Sequence, residues 1–84
     1  MQVTFKLFAT LMRHLPAGAK RHAVTLEFGA GEAVTPNQLI ERFAVPRSEV
    51  HLVLVNGVYL AEDGRDTPLR DGDQLAIWPP VAGG

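Results

Sequence analysis

Apolar and polar residues alternate from Gln2 to Phe8: Val3, Phe5 and Leu7 share one face, Gln2, Thr4 and Lys6 the other. A period of two predicts a half-buried strand. Phe8 falls on the polar face. Ala9 to Leu15, with Leu11, Met12 and Leu15 apolar, reads as a short helical turn ended by Pro16, Ala17 and Gly18. His22 to Phe28 alternates again, with Val24, Leu26 and Phe28 in phase, and Gly29-Ala30-Gly31 breaks it. Two such strands joined by a short link predict an antiparallel hairpin.

The period then changes. Thr35 is a good N-cap, Pro36 suits the first helical position, and Gln38 completes a Thr-x-x-Gln capping box. Val34 and Leu39 are placed as a hydrophobic staple, and Leu39, Ile40 and Phe43 form the buried stripe. Pro46 stops the helix, and Val45 before it is biased away from helical backbone, which leaves about three turns at most. Val50 to Val55 predicts a strand apolar on both faces, either doubly covered or open to a partner. Asn56-Gly57 is a strong type I′ hairpin signal, and Val58 to Leu60 returns as a short strand. Glu62 to Asp66 reads as a charged, solvated loop. Asp71-Gly72-Asp73 is a turn before a last strand, Gln74 to Trp78.

The order strand, strand, helix, strand, short strand, strand predicts an α+β roll. The first and last strands can lie parallel at the sheet centre with the helix crossing one face. That is the ubiquitin-like β-grasp: a mixed sheet of about five strands packed on one main helix.

Composition narrows the function. The 84 residues make one domain, without room for a deep cleft. Eight basic and nine acidic residues, scattered along the chain, give no basic footprint for nucleic acid. There is no cysteine, so disulfides, thiolate nucleophiles and cysteine-held metals are excluded. Met1 leads straight into alternating residues rather than a leader-like run, and no apolar stretch approaches the ~20 residues that span a bilayer. These features predict a cytoplasmic protein with neither membrane nor nucleic acid among its partners. His14, His22 and His51 lack metal-ligand spacing, and Asp71-x-Asp73 is too sparse for a calcium loop, so no metal site is expected.

After Trp78 the sequence reads Pro79-Pro80-Val81-Ala82-Gly83-Gly84. The prolines favour a stiff, extended exit, and the small residues beyond can thread a narrow channel in another protein. A domain over residues 1–78 and a flexible Gly-Gly tail over 79–84 are expected. Three aromatics, Phe8, Tyr59 and Trp78, are out of phase with their apolar neighbours. If the in-phase sets face the helix, these three face outward as a partner interface beside the tail.

The segment Asp71-Gly72-Asp73-Gln74-Leu75-Ala76-Ile77-Trp78-Pro79-Pro80-Val81-Ala82-Gly83-Gly84 resembles the C-terminal signature of the MoaD/ThiS family. It is most like the MoaD type, the small subunit of molybdopterin synthase, whose members end in an aromatic, Pro-Pro, Val, a small residue and Gly-Gly. Phe5-Lys6-Leu7-Phe8-Ala9-Thr10-Leu11 is similar to that family's first strand and turn. Val45 through Gly57 is more similar to broader ThiS/MoaD-like domains, including the ubiquitin-like domain fused to Mut7-C-type proteins.

The resemblance implies a sulfur carrier. An E1-like adenylyltransferase of the MoeB/ThiF type would use ATP to adenylate the Gly84 carboxylate. A sulfur donor would then displace AMP, leaving a thiocarboxylate on Gly84. In the MoaD case a MoaE-like large subunit holds the pterin that accepts the sulfur. Such a chain has no side-chain active site and no resident cofactor. It is a carrier, or the small subunit of a sulfurtransferase. The same tail chemistry serves thiamine, cysteine and tRNA thiolation pathways and ubiquitin-like protein modifiers. A non-catalytic interaction module is the remaining alternative.

Overall fold

The structure, a computed structural model, describes residues 1–80. Five strands form one mixed sheet: β1 (Gln2–Leu7), β2 (Ala23–Glu27), β3 (Leu52–Val55), β4 (Val58–Tyr59) and β5 (Gln74–Trp78). Their spatial order is β2-β1-β5-β3-β4. β1 and β5 pair in parallel, while β1–β2, β3–β5 and β3–β4 are antiparallel. The one α-helix among the described residues, α1 (Pro36–Arg42), crosses one face. This is the expected ubiquitin-like β-grasp, one of the arrangements that the order of elements allows.

The core follows from alternation. Val3, Phe5 and Leu7 are fully buried, as are Leu75 and Ile77 in β5 and Val53 in β3. Register places Phe5 opposite Leu75, Leu7 opposite Ile77, and Ile77 opposite Val53, so their side chains share a face. Leu39 and Ile40 of α1 close that face, and the Phe43 ring stacks on Phe5 at 5.1 Å.

Helix α1 begins as its sequence dictates. Thr35 accepts from the Gln38 N–H, and the Gln38 side chain accepts from the Thr35 N–H. Its end is sharp. Ala44 adopts φ +57°, the Val45 N–H donates to the Ile40 carbonyl, and the Ala44 N–H donates to that of Glu41. This Schellman closure uses alanine where glycine is usual. At seven residues, α1 makes about two turns.

Three stretches differ from the sequence reading. The strand expected from Val50 starts at Leu52, because Pro46 opens a 3₁₀ turn over Arg47–Glu49 and the Val50 N–H donates to the Arg47 carbonyl. The helical turn over Ala9–His14 is also 3₁₀; it inserts Leu11 into the core. The charged loop contains a 3₁₀ turn over Glu62–Gly64, and Arg65, which closes it, is buried rather than solvated. The Asn56-Gly57 turn forms as expected, with both residues at positive φ, 52° and 80°.

Candidate functional site

On the face of the sheet opposite α1, β1 continues past Leu7 into Phe8, whose N–H donates to the Ile77 carbonyl at 3.2 Å. That bond extends the parallel ladder by one step and brings the Phe8 and Trp78 rings together. Their centroids are 4.0 Å apart and their planes 2° from parallel. His22, just before β2, stacks on Phe8 at 4.6 Å. Next to this stack, Leu52 pairs with Trp78, Leu54 with Ala76, and Tyr59 with Leu54. Leu52, Leu54, Phe8 and Trp78 are half-buried, and Tyr59 is 62% exposed.

The surface is therefore a continuous apolar face running from Phe8 across β5 and β3 to Tyr59 at the edge. Phe8 and Trp78 touch, whereas Tyr59 stands apart from them across β3. Leu52, Leu54 and His22 belong to the same face and were absent from the aromatic set picked out by phase. The leucines had a signal: a strand apolar on both faces with one face left open. His22 had none, because a turn and not a strand register places its ring.

The chain leaves this face at its middle. β5 is the central strand, and Trp78 is held on both sides, by the Phe8 N–H on the Ile77 carbonyl and by the His51 N–H on the Trp78 carbonyl at 3.0 Å. Pro79 has no N–H to continue the ladder. Pro79 is buried and Pro80 exposed, so the backbone reaches the surface at the end of the central strand, next to the ring stack. Val81, Ala82, Gly83 and Gly84 lie outside the described residues.

No group of three or more His, Asp or Glu side chains among the described residues is placed to hold a metal ion. No helix among them is long and apolar enough to cross a membrane. Chemically, the face offers hydrophobic area, ring surfaces and a chain exit, the equipment of a docking surface.

The model of the ThiS family matches residues 6–84. The chain belongs to the ThiS family. The match bears out the resemblance to MoaD/ThiS-type sulfur carriers, and it runs through the Pro-Pro-Val-Ala-Gly-Gly segment. This ThiS-family chain is also similar to solved structures. One is the crystal structure of SAMP1 from Haloferax volcanii, at 24% identity and TM-score 0.64, with 100% of both chains covered. Another is the Haloferax volcanii HVO 2177 protein in solution, at 28% identity and TM-score 0.65, covering 100% of this chain and 87% of that one. A third is the protein–protein complex of subunits 1 and 2 of molybdopterin-converting factor from Helicobacter pylori 26695. It matches at 20% identity and TM-score 0.58, with 100% of both chains covered. The first and third are likenesses of fold. A search of curated proteins found no match.

Proposed function

We propose that this ThiS-family protein carries sulfur on the carboxyl carbon of Gly84, for molybdopterin synthesis. A carboxylate is a poor electrophile, being anionic and without a good leaving group. An E1-like adenylyltransferase would supply the activation. The carboxylate oxygen attacks the α-phosphorus of ATP, pyrophosphate leaves, and an acyl-adenylate forms. Hydrosulfide then attacks the carboxyl carbon; the C–S bond forms, the C–O bond to AMP breaks, and the thiocarboxylate remains. ATP sits in the activating enzyme, so the carrier needs no cofactor of its own. A large-subunit partner of the MoaE kind would present the acceptor. The cytoplasm, reducing and rich in ATP, suits a cysteine-free chain bearing an oxidisable thiocarboxylate.

One observation carries this reading: the family match extends through Gly84, while the central strand delivers the chain to the surface beside the Phe8–Trp78 stack. Docking of the apolar face would hold the partner where the segment after Pro80 can enter its active site. The ending Trp78-Pro79-Pro80-Val81, which resembles that of the MoaD type, favours the pterin pathway.

Intact mass after incubation with ATP, sulfide and an E1-like enzyme tests the proposal. The expected gain equals replacement of one oxygen by sulfur, and it is lost when Gly84 is deleted. Linkage to lysines of other proteins instead would reassign the chain as a protein modifier. No gain with an enzyme active on its own carrier would leave a binding module.

A further inference from the structure

Between α1 and the β4 edge lies a polar cleft of about 430 Å³. Arg47, His51, Tyr59, Glu62 and Arg65 line it, with Asn37 in its wall. Arg65 is the unusual member. It is only 9% exposed, and its Nε is buried with no hydrogen-bond partner. The ion pairs among the described residues are Arg13–Glu49 and Arg47–Glu41, so no carboxylate among the described residues lies within pairing distance of the Arg65 guanidinium. A buried Nε–H without an acceptor is costly, and because Arg65 also lines the cleft its guanidinium is placed to take an anion there.

The cleft is built rather than incidental. The Asn37 N–H donates to the Arg65 carbonyl at 3.0 Å and fixes that residue's backbone. The Asn37 side chain donates to Asp66 at 2.8 Å and accepts from Arg47, which holds the second guanidinium at the cleft. Among the lining residues two guanidinium groups, Arg47 and Arg65, stand against one carboxylate, Glu62, while Asp66 accepts from Asn37 in the wall. Glu41 reaches Arg47 only at 4.0 Å, with both side chains largely exposed, so that pair is screened.

We propose that this cleft receives one carboxylate, held by Arg65. A planar, singly charged carboxylate matches the fork of a guanidinium. Glu62 in the wall disfavours a dianion such as phosphate. Tyr59 belongs both to the cleft and to the apolar sheet face, so an acidic side chain of a protein docked on that face reaches the cleft directly. A free carboxylic acid presents the same chemistry. The inference stands on the cleft itself; only the source of the carboxylate involves the proposed carrier role.

The test is an NMR titration of the full chain that follows the arginine Nε–Hε resonances, with sodium acetate set against sodium chloride at equal ionic strength. Acetate should shift the Arg65 resonance saturably, and chloride should not. Arg47→Gln, at an exposed position, should weaken acetate binding about fivefold, the loss of one charged partner at a solvated rim. A resolved Arg65 resonance that ignores acetate overturns the proposal and leaves the guanidinium to water. A second arm measures affinity for the activating enzyme. Weakening by Arg65→Lys, with acetate competing, supports the proposal and assigns the carboxylate to the partner. Unchanged partner affinity alongside acetate binding supports it with a free acid as the source.

Discussion

The rings of Phe8 and Trp78 lie 4.0 Å apart and 2° from parallel, although the two residues come from opposite ends of the chain. The parallel pairing of β1 with β5 makes this possible, since Leu7 opposite Ile77 brings the following residues side by side. The contact ties the start of the fold to the point where the chain leaves it.

Trp78→Ala should therefore act mainly on association. With Trp78 partly exposed, the variant should keep its fold by circular dichroism. Its affinity for the E1-like enzyme should fall by about tenfold or more, as expected for a central aromatic anchor. In a double-mutant cycle with Phe8→Ala, the coupling in chain stability should be about 1 kcal/mol. Unchanged affinity in Trp78→Ala would remove the apolar face from the docking account.

The neighbouring position behaves oppositely. Ile77 is fully buried and points to the helix. Ile77→Ala should cost about 3 kcal/mol through lost burial and a residual cavity. For a domain of this size that lowers Tm by about 15 °C. Calorimetry of Ile77→Ala beside Trp78→Ala reads the two faces of β5 separately, and similar losses in both would contradict the register.

Asn56 combines two functions. It takes the left-handed conformation of the turn, and its side chain accepts from the Gln74 N–H at 2.9 Å and donates to Asp73 at 2.8 Å. Asn56→Ala loses both bonds and strains the turn, so urea unfolding should show a loss of about 2 kcal/mol. Asn56→Gly keeps the backbone freedom and should lose less. Equal losses would mean that the side-chain bonds, not the backbone, dominate.

Ala44 offers a gain. At φ +57° an alanine is strained, and a glycine there relieves the strain while adding entropy to the unfolded chain. The strain of about 1 kcal/mol outweighs the entropy, so Ala44→Gly should raise stability by about 0.5 kcal/mol. An unchanged or lowered midpoint in urea would show that the helix end accommodates Ala44 without strain.

The local code determined much of this protein by itself. The alternation of Val3, Phe5 and Leu7, the Thr35–Gln38 capping box, the Asn56-Gly57 turn and the strand from Gln74 to Trp78 are all short-range patterns. Their outcome depends on neighbours a few residues away, and each appears where it was read. The Gly-Gly segment and its family signature are likewise properties of sequence. Tertiary structure decided what depends on distant partners. The ring of His22 rests on Phe8 only because a turn delivers it there. Leu52 and Leu54 become a surface only because α1 covers the other side of the sheet. Arg65, in a loop whose charges promise solvation, is buried, and its carbonyl is held by the Asn37 N–H of a helix far away in sequence. Periodicity reports which side of its own element a residue occupies. It carries no information about what the rest of the chain brings to that side.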